Sequence, residues 1–157
     1  MLKNNLEKII AYICQEYPYK DELSDARLTK MVYLTDWFSS LVNDQQATEI
    51  NWVFNHYGPY VSDVYEAAKD NGNFVVKNKT TIYGNNKKII NYVGEASIDL
   101  EPLIKSVIDT VIDKTKSMYF NDFIDYVYST YPVKNNDRYS ILDLPMLAKE
   151  YRTSIAE

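Results

Sequence analysis

The chain has 157 residues, 46% of them apolar, which suits one domain with a real hydrophobic core. Lys+Arg 17 against Asp+Glu 22 leaves a net charge of −5, a poor basis for binding duplex nucleic acid, where neutralising phosphates supplies most of the non-specific affinity. A single cysteine, Cys14, excludes an internal disulfide and a multi-cysteine zinc site.

The first predicted element is an amphipathic helix in which Leu6, Ile9, Ile10, Ile13, Cys14 and Tyr17 recur at helical spacing, with Pro18 ending it. Its apolar run, IIAYIC over 9–14, is short and bracketed by Lys8 and Glu16, so it reads as a helix face and not as a signal peptide. No later run approaches the ~18 apolar residues of a membrane span, and a cytoplasmic location is expected. Ser24 caps a second helix over 25–41, with Asp25 in its first turn. That helix carries RLTKMVYLTDW over 27–37, and its apolar residues cover so much of the circumference that it is expected to be central and buried, with Trp37 in the core.

A half-buried strand is expected over 48–55, where Ile50, Trp52 and Phe54 share one face. It runs into NHYGPYVSDVYEA over 55–67, which holds the only histidine, His56, and the Gly58-Pro59 pair among Tyr57, Tyr60 and Tyr65. This corner reads as strand end, sharp turn and helix start. Gly58 supplies the unusual backbone conformation, and Pro59 takes the first helical position. A short third helix follows to about 71, and then a hairpin over 74–93 turning at Gly84-Asn85-Asn86. Lys77, Lys79, Lys87 and Lys88 make that hairpin basic, read as edge protection. Helices are expected over 99–115, then over 117–131 with Ser117 as cap and Pro132 as terminator, and finally over 143–152. The fold expected is α+β: one domain over 1–157, core 5–131, about six helices and a small antiparallel sheet built from the 48–55 strand and the 74–93 hairpin.

No constellation in this sequence carries recognisable catalysis. Cys14 with His56 could form a nucleophile–base pair, but Cys14 lies on an apolar helix stripe, where a buried structural thiol is the commoner outcome. One histidine and one cysteine are too few for a metal site of nitrogen and sulfur ligands. Asp63/Glu66 and Asp122/Asp125 read as solvated helix faces, and the four glycines, spread singly, build no phosphate loop. The helices at 99–115 and 117–131 could imitate a helix-turn-helix, yet the second carries Asp122 and Asp125 and no basic residue, so it would repel phosphate. His56 reads first as a hydrogen-bonding pin of the corner, and second as a partner contact.

RLTKMVYLTDW, INWVFNHYGPYVSDVYEA and the late STYP at 129–132 together resemble the Panacea, or SocA-like, antitoxin domain. In that family a helix of the LxKLLYxxxW kind precedes a strand ending in a YGP turn and then VxxxY. Leu28, Lys30, Met31, Tyr33, Asp36 and Trp37 fill the first pattern here, and Tyr57, Gly58, Pro59, Val61 and Tyr65 the second. The resemblance implies a bacterial or phage antitoxin, of use in prophage or phage defence, whose partner is a protein toxin encoded next door. From the residues themselves no cofactor, no metal, no membrane and no direct nucleic-acid partner is expected. Family toxins have unrelated folds and include alarmone-synthetase-like enzymes that modify transfer RNA. Most members neutralise by direct protein contact, one branch delivers its toxin to a protease, and many carry an added DNA-binding segment for which this chain is expected to have no room. The residues expected on the toxin-facing surface are His56, Tyr57, Tyr60, Asp63 and Glu66, with Gly58 and Pro59 as the structural corner. A protease adaptor, a small enzyme of unfamiliar chemistry and a plain scaffold stay open as alternatives, as does the oligomeric state.

Overall fold

In the computed structural model, which describes residues 2–80, 82–95 and 97–156, helix α2 (Asp25–Asn43) is the axis of the molecule. The Ser24 hydroxyl accepts from the Arg27 N–H at 3.1 Å to start it, and Asp44 in the left-handed region, φ 59°, stops it. Every residue from Arg27 to Trp37 is buried. Around α2 pack α1 (Asn5–Glu16), α3 (Asp63–Ala68), α4 (Pro102–Thr115), α5 (Phe120–Tyr128) and α7 (Leu144–Ala156). A four-residue helix, α6 (Tyr131–Lys134), joins α5 to the last segment. The fold is α+β, a single domain of seven α-helices among the described residues with few strands.

Helix ends follow the expected chemistry where a polar side chain is available. Asn4 accepts from the Glu7 N–H at the start of α1. At its end the Lys20 ammonium donates to the Cys14, Gln15 and Tyr17 carbonyls at 2.7, 2.9 and 3.0 Å, which satisfies orphan acceptors and complements the helix dipole. Ser117 caps nothing: α5 begins at Phe120, with Tyr119 at its cap position and no side-chain bond. Pro132 lies in the first turn of α6 instead of ending a long helix, because its missing N–H falls among the donors that a first helical turn leaves unpaired anyway.

The strands form two sheets, not one. β1 (Trp52–Asn55) lies between β2 (Gly58–Pro59) and β5 (Ile141–Leu142), both antiparallel to it. β3 (Phe74–Thr80) and β4 (Asn86–Tyr92) form a separate hairpin, tied to the start of α2 by a Ser24–Ile89 bridge. Ile82 lies in the tip of this hairpin, almost fully exposed.

The expected strand at 48–55 is shortened for a visible reason. Asp36, wholly buried on α2, accepts from the Thr48 N–H at 2.9 Å, the Thr48 hydroxyl at 2.5 Å and the Trp52 indole N–H at 2.8 Å, with the Gln46 amide at 3.4 Å. The Thr48 N–H therefore bonds to a helix side chain, and the Thr48 and Ile50 carbonyls accept from the Gln46 amide and not from a neighbouring strand. Trp52 is held in the core against Tyr33, ring centroids 5.6 Å apart, and Trp37 is buried as expected.

Candidate partner-binding surface

The corner at 55–67 is a tight β-hairpin followed by a helix. Asn55 pairs with Gly58 and Phe54 with Pro59, so His56 and Tyr57 form the two-residue turn. Neither turn residue has positive φ; the left-handed position falls just after them on Gly58, φ +99°, as in a turn closed by a glycine bulge. A Cβ there would meet Lys30 and Tyr128 only at ordinary contact distance, 3.5 Å, so the dihedral and not crowding selects glycine. Pro59 is part of strand β2 and not the first helical residue: α3 starts four residues later, at Asp63. A proline suits this position because a short edge strand asks for few N–H donors.

The hairpin tip is locked to a segment 80 residues away. Tyr139, with φ 71°, donates its N–H to the Phe54 carbonyl, and the Phe54 N–H donates to Ser140 at 2.9 Å. Arg138 donates from Nε to the His56 carbonyl at 3.0 Å and from Nη2 to the Tyr128 hydroxyl at 3.5 Å, while its guanidinium lies 5.6 Å from the Phe54 ring centroid. Phe54 in turn meets Tyr128 edge-on at 5.9 Å. On the outside, the His56 ring stands edge-on to Tyr57 at 4.5 Å, and its Nδ1 lies 3.3 Å from the Tyr139 hydroxyl. Tyr57 is 75% exposed, Tyr139 67%, and Ile141 on β5 76%. The outcome is an exposed aromatic and arginine cluster on backbone fixed from both sides, the composition and rigidity that binding hot spots favour.

The other expected contact residues are distributed differently. Tyr60 is half-buried and points inward, donating to the Asp25 carboxylate at 2.7 Å. Burial, and then that bond, push its phenol well above the ordinary range. Asp63 and Glu66 are exposed on α3, and Asp63 lines a cavity of about 590 Å³ together with Asn4, Asn5 and the chain at 45–50. His56 and Tyr57 are thus brought together with Arg138, Tyr139 and Ile141, while Tyr60 belongs to the support behind them.

Beneath the corner lies Lys30, only 2% exposed, its ammonium 5.9 Å from the Tyr60 ring centroid. Burial pushes it down to about 8, partly opposed by the Asp25 carboxylate. Cys14 and His56 do not form a pair. The thiol is buried, donates to the Ile90 carbonyl at 3.6 Å, and is pushed up to about 12 by burial, the reverse of nucleophile activation, whereas His56 sits at the exposed tip. Among the described residues no group of three or more His, Cys, Asp or Glu side chains is placed to hold a metal ion. None of the described helices is long and apolar enough to cross a membrane.

Arg138, Tyr139 and Ile141 escaped sequence reasoning, since the loop at 134–137 and a two-residue strand leave no periodic signal. Arg27 escaped it too. This buried guanidinium donates to the Thr115 and Met118 carbonyls at 2.9 and 3.1 Å and stacks 4.6 Å from the Phe123 centroid, joining α2 to the α4–α5 connection. Comparison with known proteins returns no match among curated proteins and none among solved structures. A family model described as antitoxin SocA-like, Panacea domain, matches residues 28–132, from the buried face of α2 through the corner to α6.

Proposed function

Because the chain belongs to the SocA-like antitoxin family with its Panacea domain, we propose that it is an antitoxin that neutralises a protein toxin encoded beside it by direct binding in the cytoplasm. The observation that carries this reading is the tip of the β1–β2 hairpin. Tyr57, His56 and Tyr139 stand exposed on backbone already ordered by Arg138 and by pairing with the 139–142 segment. Aromatic anchors that lose little freedom on binding are what a protein-binding surface needs, and no cleft chemistry is required of it.

In this reading Tyr57 and His56 make the central contact and Tyr60 holds the corner from behind through Asp25. Asp63 and Glu66 supply acidic charge from α3, which steers a basic partner toward a chain of net charge −5. Gly58 and Pro59 shape the corner.

The test is co-expression with the adjacent reading frame. That frame should be toxic alone and harmless together with this chain, and the two proteins should co-purify as a stable complex. Charge reversal of Asp63 and Glu66 together should weaken rescue without unfolding the protein. If the toxin level falls on co-expression and recovers when a host protease is deleted, the chain is a protease adaptor and direct neutralisation is wrong.

A further inference from the structure

Strand β3 has one paired edge and one open edge, and the ladder decides which backbone groups face each. Val76 pairs with Ile90 and Asn78 with Lys88. The Ile90 N–H points away from β3, donating to the Leu23 carbonyl at 3.0 Å. The Val76–Ile90 pair is therefore the kind that exchanges no hydrogen bonds, and so is Asn78–Lys88 two residues along. Two neighbours have the same phase: the Val93 N–H donates across to Asn73 at 2.8 Å, while the Phe74 N–H turns outward to Asn71 at 3.0 Å. The N–H and C=O groups of Val76 and Asn78 thus face outward. Among the described residues nothing outside the β3–β4 ladder bonds to the backbone of either.

Room and charge flank this edge. A cavity of about 580 Å³ runs between α3 and β3, lined in part by Tyr65, Ala68, Val76, Asn78 and Lys88. On the opposite face Lys79 stands directly across the ladder from Lys87, an arrangement that like charges oppose. Asp21 lies 3.4 Å from Lys79, and Lys88 donates to the Tyr65 hydroxyl at 3.1 Å. Lys77 and Lys87 form no ion pair among the described residues. Four lysines on one hairpin of a chain with net charge −5 make a local positive field. Edge-to-edge pairing with a second copy would set lysine against lysine, which disfavours self-association. An acidic strand meets the opposite situation on the face of Lys77, Lys79 and Lys87.

We propose that the outer edge of β3 accepts an extended acidic segment of a partner protein as an added strand, its backbone bonding to Val76 and Asn78 and its carboxylates on the face that carries Lys77, Lys79 and Lys87. The surface is separate from the hairpin tip of β1–β2, and the proposal goes beyond the antitoxin reading: it holds or fails whatever the partner's activity.

The test uses two eight-residue capped peptides, one alternating valine with glutamate and one alternating valine with lysine. Amide hydrogen exchange of the full chain is followed by NMR. The glutamate peptide should slow exchange at Val76 and Asn78 at least tenfold, and the lysine peptide should not. Asn78→Pro removes an outward N–H that takes no part in the ladder, so it should keep the fold and weaken binding at least tenfold. Should that variant unfold, Lys77→Glu with Lys87→Glu should reverse the preference between the peptides. The proposal is overturned by unchanged exchange at Val76 and Asn78, by equal slowing with both peptides, or by concentration-dependent protection without peptide, which would put a second copy on the edge.

Discussion

Replacing Asp36 should separate the cost of an orphaned donor from the cost of a buried charge. Its Oδ1 accepts from the Thr48 N–H at 2.9 Å, and its Oδ2 from the Trp52 indole at 2.8 Å and the Thr48 hydroxyl at 2.5 Å. Asp36→Ala leaves two donors that cannot turn elsewhere, the Thr48 N–H and the Trp52 Nε1–H. The Thr48 hydroxyl is free to rotate, and Gln46 keeps the Thr48 and Ile50 carbonyls at 3.2 and 2.9 Å. At about 1–3 kcal/mol for each buried unsatisfied donor, the loss should be roughly 2–6 kcal/mol. Asp36→Asn can place its one oxygen where Oδ2 stands and keep the indole bond, but its amide then faces the Thr48 N–H, donor against donor. It also removes a carboxylate that burial holds above its ordinary pKa in spite of the bonds from Thr48 and Trp52. Its cost should be smaller, about 1–3 kcal/mol. Urea unfolding followed by tryptophan fluorescence and by circular dichroism measures both variants. Equal losses in the two, or an alanine variant within about 1 kcal/mol of the parent, would refute the claim that Asp36 fastens the 46–52 segment to α2.

Lys30→Met should stabilise the chain at pH 7, by roughly 3 kcal/mol at most, since a pKa lowered from 10.5 to about 8 measures the cost of burying the charge. In the parent, stability should climb as pH rises from 8 toward 9, where the folded state has shed this proton and the unfolded state has not. The climb should be absent in the variant. Above pH 9 Cys14 works in the opposite sense, its folded thiol keeping a proton that the unfolded one loses, so thermal melts between pH 7 and 9 isolate the lysine. Gly58→Ala should cost about 1–3 kcal/mol from backbone strain at φ +99°, and a melt unchanged by it would mean that the turn relaxes freely. Tyr60→Phe should cost about 1 kcal/mol through the lost bond to Asp25, and an ultraviolet pH titration should show one fewer high-pKa tyrosine.

What could be read from residues alone was whatever is local. Ser24, followed by an apolar run on all sides, marks α2 and its burial, and Phe74 to Tyr92 with a glycine-bearing turn marks the hairpin. Pro59 and Pro132 mislead because a proline fits more than one place. A missing N–H is equally at home in the first turn of a helix and on a strand edge, which is the ambiguity at Pro59, and a proline that would end one helix fits the first turn of the next, which is the ambiguity at Pro132. The 48–55 alternation is genuine, but it records which side chains are buried and not which backbone groups find strand partners. At 48–50 those groups turn to Asp36 and Gln46 instead, and a carboxylate inside an apolar helix gives no sign of its partners, the Thr48 N–H and the Trp52 indole, 12 and 16 residues away. The tip was half legible. His56 and Tyr57 are conspicuous in any reading of 55–67, whereas Arg138 and Tyr139, which fix and widen that surface, come from a polar loop that only the fold brings near.

The most direct test of the antitoxin account is the affinity of the purified chain for the product of its adjacent reading frame, measured by calorimetry for the parent and for Tyr57→Ala, which leaves the core untouched. The account predicts a tight complex with the parent and a loss of at least about 2 kcal/mol, roughly thirtyfold, in the variant, as for a central aromatic anchor. A partner that binds both equally well would remove the hairpin tip from the interface, and a partner that binds neither would remove the antitoxin reading itself.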